Sequence, residues 1–199
     1  MGFFDEKKNV EEYMRMADGY DGKELIEKLQ KYLPSGKNVL EIGMGPGVDL
    51  DLLSNNYEVT GSDLSLVFID LYREKHPEAD LLLLDAVKLS TSRTFDCLYS
   101  NKVLHHLTGE QLEDSFLNQM KILEPGGLVL HSFWYGEGSE KIEDLLFTYY
   151  KPDDILRLIP DDFELLEMER YTEFEKEDSF YIILKNKISS CYNCSYDIK

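Results

Sequence analysis

The sequence predicts a doubly wound α/β domain built on a mainly parallel sheet, and three observations carry that expectation. Strand-like and helix-like segments alternate through the first two-thirds of the 199 residues. The first strand runs into "GMGPG", three glycines in five residues, and then into a helix. Two strand-like segments, "FELLEMERYTEF" and "SFYIILKN", follow one another at the end, which places an antiparallel hairpin on one sheet edge.

Each element has its own signal. "NVEEYMRMADGY" reads as a short helix ending near Gly19, and "GKELIEKLQKYLPSG" sets Leu25, Ile26, Leu29 and Leu33 on one helical face before Pro34 and Gly36 stop it. "NVLEI" is the first strand and "VDLDLLSNN" the helix after the glycines; "EVTGSDL" is the second strand, followed by a helix from Ser65 to Pro77. "DLLLLDA" and "FDCLYSN", the third and fourth strands, are separated only by a polar loop. Thr108 and Gln111 make a T-x-x-Q capping box for a helix carrying Leu112, Phe116 and Met120 on one face. "LEPGG" turns into a fifth strand, "LVLHSFW", and both "EKIEDLLFTYY" and "PDDILRLI" read as helices.

Composition narrows the function classes. With 43% hydrophobic and 30% charged residues the chain suits one domain around one core. The longest aliphatic run, Leu81 to Leu84, is far short of a membrane span, and "MGFFDEKKNV" lacks the layout of a cleaved leader. Glu6 breaks the myristoylation pattern at Gly2. A net charge of -18 repels polyphosphate, which disfavours nucleic acid and anionic membranes as partners. Of three cysteines, Cys97 reads as a small core residue, which suits a reducing cytoplasm. Cys191 and Cys194 form a C-x-x-C without neighbouring histidines, so the end of the chain reads as a frayed tail and no metal site is expected.

The glycine-rich connection has two physical uses. It can form a tight turn, or it can let main chain approach a ligand closely next to the unpaired amides of a helix start. Val48 stands where the dinucleotide pattern G-x-G-x-x-G needs a small residue, which argues against NAD. Asp63 ends the second strand about 20 residues beyond the first strand's glycines, the spacing of an acid that grips a ribose; its other use is to cap the helix at Ser65. Asp85 ends the third strand, where a carboxylate can accept from an adenine amino group.

Taken in order, "VLEIGMGPG", "VTGSDLS", "LLLLDA", "FDCLYSNKVLHHL" and "ILEPGGLVLHSF" resemble the successive motifs of the class I S-adenosylmethionine-dependent methyltransferases, over residues 38–134. The resemblance implies a seven-stranded Rossmann-like sheet with a reversed final strand and S-adenosylmethionine as cofactor. It implies that Glu41, Gly43 and Gly45 hold the methionine part, Asp63 the ribose, and Asp85 with the backbone of Ala86 the adenine, while Asn101 borders the methionyl group. Residues 1–36 would form a helical lid carrying Tyr13 or Tyr20, residues 37–186 the methyltransferase domain, and residues 187–199 a flexible tail. His106 stands where the family often has a histidine and is the candidate general base, ahead of His105 and His131. Tyr135, Tyr149 and Tyr150 fall either in the acceptor pocket or among core and surface aromatics. Short flanks favour a small-molecule acceptor. A cofactor-binding module without acceptor chemistry and a nicotinamide-dependent oxidoreductase are the other readings.

Overall fold

The computed structural model describes residues 3–16, 19–143 and 145–187; the Cys191 and Cys194 pair lies outside the described residues. Two helices, α1 (Lys7–Met16) and α2 (Lys23–Leu29), precede the first strand, β1 (Asn38–Ile42). The chain then alternates through α3 (Val48–Ser54), β2 (Glu58–Asp63), α4 (Leu66–Lys75), β3 (Leu81–Leu83), β4 (Phe95–Asn101), α5 (Gly109–Ile122) and β5 (Leu123–Trp134). Beyond it lie a separate hairpin, β6 (Ser139–Ile142) and β7 (Leu145–Thr148), the helix α6 (Pro152–Leu158), and the strands β8 (Phe163–Tyr171) and β9 (Ser179–Asn186).

The main sheet has seven strands in the order β3-β2-β1-β4-β5-β9-β8. Neighbours from β3 to β5 are parallel, whereas β9 runs antiparallel to both β5 and β8. The expected reversed final strand is therefore β9, inserted between β5 and β8. Because strand order reverses direction between β1 and β4, their carboxyl ends flank the switch point at which such sheets bind ligands.

Side chains alternate across the sheet and fill two layers. On one face Val39, Cys97, Tyr99, Leu130 and Ile183 pack against Leu25, Ile26 and Leu29 of α2. On the other, Leu40, Leu98, Val129, Phe133 and Ile182 pack against Leu112 and Phe116 of α5 and Ile155 of α6. The predicted capping box is present: the Thr108 hydroxyl accepts from Gln111 N at 3.2 Å, and Gln111 Oε1 accepts from Thr108 N at 3.0 Å. No described helix is long and apolar enough to cross a membrane.

One expected helix is a hairpin. "EKIEDLLFTYY" has apolar residues at both helical and strand spacing, and tertiary contacts decide between them. Glu143 turns the chain with φ +49°, and Phe147 on β7 packs its ring on His105 and His106, which a helix here would not present in the same way. The third strand is also shorter than "DLLLLDA" suggested, because the main chain turns at Asp85.

Candidate functional site

The glycines after β1 serve both of their possible uses. Gly43, Gly45 and Gly47 all have positive φ, at +70°, +49° and +85°, so the turn itself excludes most side chains. A Cβ on Gly43 would overlap Val103, and one on Gly47 would overlap the Tyr72 ring. A Cβ on Gly45 would meet nothing closer than Tyr13 Cε1 at 4.0 Å. Gly43 and Gly47 thus allow close packing, while Gly45 borders open space beneath the N-terminal segment. That segment is tied down by Ser65, whose hydroxyl donates to Phe4 O at 2.6 Å, and by Gly22 N, which donates to Asp49 at 2.6 Å.

Carboxylates gather at the carboxyl ends of the strands. Glu41 on β1 is 3% exposed and its Oε2 has no hydrogen-bond partner. Burial first, and then the charges of Asp49, Asp63 and Asp51, push its pKa well above the usual carboxylate range. Asp63 accepts from Gly45 N at 3.0 Å and from Ser65 N at 2.8 Å, so it fastens the glycine turn to the start of α4. Burial raises its pKa, opposed by these main-chain donors. A carboxylate has about four acceptor directions, so these main-chain donors leave Asp63 capacity to accept from a ligand as well. Asp85 Oδ1 accepts from Val87 N at 2.8 Å and closes a turn, while the carboxylate stays 34% exposed. Leu64 and Leu83, 67% and 57% exposed, stand beside these two acids and give the ends of β2 and β3 an uncovered apolar surface.

At the end of β4, Asn101 donates to Asp49 at 3.1 Å and accepts from Ser132 Oγ at 2.6 Å. Asp49 also accepts from the Tyr99 hydroxyl at 2.7 Å. The next residue, Lys102, has φ +54° and a half-enclosed ammonium that donates to Ser179 Oγ at 2.7 Å and Tyr171 OH at 3.1 Å. It lies 3.6 Å from Glu173 and 3.9 Å from the centre of the Trp134 ring. Burial lowers its pKa to about 8, against the pull of Glu173 and Asp178. The sequence does not single out Asp49 and Lys102, because the partners of the first are Gly22 and two residues of β4, and those of the second come from β5, β8, β9 and the β8–β9 turn.

The histidines divide by partner. His106 Nδ1 lies 2.7 Å from Leu146 O; a carbonyl only accepts, so Nδ1 carries the proton and Nε2 is bare. Burial lowers the His106 pKa and keeps the ring neutral. His105, 2% exposed, stacks on Phe147 at 5.2 Å, and neither ring nitrogen has a partner. His131 is fully buried inside the sheet. The three tyrosines do not converge: Tyr150 is core against Phe133, Tyr149 donates to Glu140 on the hairpin at 2.6 Å, and Tyr135 lies under Arg170. A cavity of about 200 Å³ opens instead between Tyr20, Asp21, Gly22 and Leu25 on one side and Tyr171 and Glu173 on the other. Among the described residues, no group of three potential ligands could hold a metal ion.

Comparison with known proteins bears on the fold that carries these residues. Residues 39–127 match the methyltransferase domain family. Over 111 residues the chain is 33% identical to the tRNA (carboxymethyluridine(34)-5-O)-methyltransferase ALKBH8 of Macaca fascicularis, covering 55% of this chain and 16% of that protein. The chain spans between 16% and 55% of the length of such curated relatives. Its fold matches an S-adenosylmethionine-dependent methyltransferase from Clostridium acetobutylicum with a TM-score of 0.74 at 14% identity, covering 88% of this chain and 98% of that one. It also matches the N-methyltransferase NodS from Bradyrhizobium japonicum, solved with S-adenosyl-L-homocysteine, at 0.69 and 16%, covering 90% and 97%. Residues 39–127 thus match a methyltransferase domain model, and the sheet around them shares its fold with solved S-adenosylmethionine-dependent methyltransferases.

Proposed function

We propose that this domain transfers the methyl group of S-adenosylmethionine to a small-molecule acceptor by in-line displacement. The observation that carries the reading is the unpartnered Glu41 Oε2, buried at the foot of a glycine turn whose Gly45 borders open space. A buried acceptor left unmade is costly, and a ligand that donates to it recovers that cost. The residues fit this cofactor: Glu41, Gly43 and Gly45 would hold its methionine part, with Asn101 alongside. Asp63 would take the ribose, and Asp85 with the Ala86 backbone the adenine, over Leu64 and Leu83. The cofactor supplies an electrophilic methyl on a sulfonium, whose departing thioether needs no proton.

What this chain supplies is alignment and the exclusion of water. Residues 1–36 act as the lid, with Tyr13 over Gly45; burial and the charges of Asp63 and Asp49 raise its pKa, so its hydroxyl stays protonated there. His106, neutral with Nε2 bare and its ring fixed by Leu146 O, is the group suited to take a proton from the acceptor. A small acceptor fits the cavity lined by Tyr20, Tyr171 and Glu173, and the net charge of -18 opposes binding to RNA. The reducing cytoplasm is the compartment we assign, in keeping with the buried, unpaired Cys97.

Two experiments test the reading. Calorimetric titration with S-adenosylmethionine, S-adenosylhomocysteine and NAD in parallel should give binding of the first two alone; binding of NAD alone, or of none, overturns the cofactor assignment. Methyl-labelled S-adenosylmethionine should then yield a new labelled low-mass product in a cell extract, separated from the cofactor and absent without the enzyme. Label confined to the RNA or protein fraction overturns the small-molecule acceptor.

A further inference from the structure

Behind the turn at Asp85 runs a chain of fully buried polar side chains that the proposed transfer does not use. Ser100 on β4, His131 on β5, and Gln119 and Ser115 on α5 are all without exposed surface. Ser100 Oγ lies 2.7 Å from His131 Nδ1, His131 Nε2 lies 2.9 Å from Gln119 Oε1, Gln119 Nε2 donates to Ser115 Oγ at 3.1 Å, and Ser115 Oγ donates to Ala86 O at 2.7 Å.

The proton positions follow from the last link. The Ala86 carbonyl only accepts, so the Ser115 hydroxyl must donate to it and receive from the Gln119 amide nitrogen. That orientation turns Gln119 Oε1 toward His131, which must therefore carry its proton on Nε2 and accept from Ser100 through Nδ1. One direction of donation thus runs from the end of β4 to the Ala86 carbonyl. Burial holds His131 neutral, with a pKa of about 3, so the pattern does not change across physiological pH. One turn along α5, Asn118 Nδ2 donates to Val87 O at 2.9 Å. The carbonyls of Ala86 and Val87 are therefore both held from α5, while Asp85 Oδ1 closes the same turn through Val87 N.

A satisfied buried network fixes one arrangement of the groups that it joins, more firmly than apolar packing does. Here the fixed group is the turn carrying Asp85. We propose that Ser115, Gln119 and His131 are positioning residues that hold the turn at residues 85–88 so that the Asp85 carboxylate selects a purine bearing a 6-amino group over one bearing a 6-oxo group. An amino group donates to the carboxylate, whereas a 6-oxo group presents a second acceptor to it and is repelled. The inference rests on the cofactor reading above and deepens it.

The test compares S-adenosylhomocysteine with its 6-oxo counterpart, S-inosylhomocysteine, by calorimetry on wild type, Ser115→Ala and Ser115→Thr, with thermal unfolding recorded for each. Wild type should prefer the 6-amino ligand, and Ser115→Ala should shrink that preference about three- to tenfold, the worth of one hydrogen bond. Ser115→Thr, which keeps the hydroxyl, should restore it. Gln119→Leu, measured in the same way, should shrink the preference as Ser115→Ala does and answers the question if Ser115→Ala does not fold. Equal loss of both affinities, leaving the ratio at its wild-type value, would mean that the chain only stabilises the core and would overturn the inference. Wild type that binds neither ligand would instead bring down the cofactor reading itself.

Discussion

Replacing Glu41 by Gln keeps the shape of the side chain and removes its charge, which separates two effects of opposite sign. In the ligand-free protein the carboxylate is buried beside Asp49, Asp63 and Asp51, with Oε2 unpartnered. An unmade buried acceptor costs about 1–3 kcal/mol. Because the folded pKa is raised, the folded state holds its proton to higher pH than the unfolded chain does. This group therefore favours folding most below the ordinary carboxylate pKa, and that contribution is lost as pH rises through the folded value. Glu41→Gln has no such loss, so the ligand-free variant should melt above wild type at pH 8 and gain less at pH 5. Cofactor binding should move the other way. A hydrogen bond to a charged group is worth about 1.5–3 kcal/mol, so affinity for S-adenosylmethionine should fall roughly 10- to 100-fold. Scanning calorimetry at both pH values and titration calorimetry at pH 8 read the two effects. An affinity within twofold of wild type, or a variant no more stable than wild type at pH 8, would refute the assignment of Glu41 to the methionine end.

Three other substitutions probe the rest of the groove. Asp63→Ala removes the acceptor of Gly45 N and Ser65 N together with the candidate ribose acceptor, and should weaken S-adenosylmethionine binding by about 1.5–3 kcal/mol; unchanged affinity in a calorimetric titration would take Asp63 out of the site. Lys102 holds fewer protons folded than unfolded between its lowered pKa of about 8 and the model-compound value of 10.5, so it makes stability rise with pH through that window. Lys102→Met should remove a rise on the order of 2 kcal/mol, read from urea unfolding at pH 8 and pH 10, and an identical pH dependence in both proteins would contradict the burial argument. His106→Ala should lower turnover about 10²-fold or more while leaving S-adenosylmethionine affinity within twofold; equal turnover with saturating acceptor would make His106 a packing residue.

Most of the fold could be read along the chain because its signals are local. The T-x-x-Q box, the Ser65 cap and the glycines after β1 each involve neighbours within a few residues, and the two final strands follow one another directly along the chain. The segment at 139–150 failed for the complementary reason. Ile142, Leu145, Leu146 and Phe147 satisfy both a helical and a strand period, and the deciding contacts lie on His105 and His106, far earlier in the sequence.

The same distinction explains which parts of the site were legible. Glu41, Asp63 and Asp85 stand at strand ends, where position along the chain already says which edge of the sheet they occupy. Asp49 has no such marker, since its meaning comes from Gly22 ahead of α2 and from Tyr99 and Asn101 on β4, all distant from it in the sequence. Lys102 reads as an ordinary surface lysine until β9 brings Ser179 and β5 brings Trp134 around its ammonium. His131 illustrates the limit most sharply. As a polar residue in "LVLHSFW" it signals only that something must satisfy it, and the partner, Gln119, lies on the buried face of α5. Strand-end acids can be assigned from periodicity because the backbone positions them. Residues whose roles depend on a partner across the sheet become assignable only when the strand order is known, because it is that order which brings His131 on β5 next to Ser100 on β4.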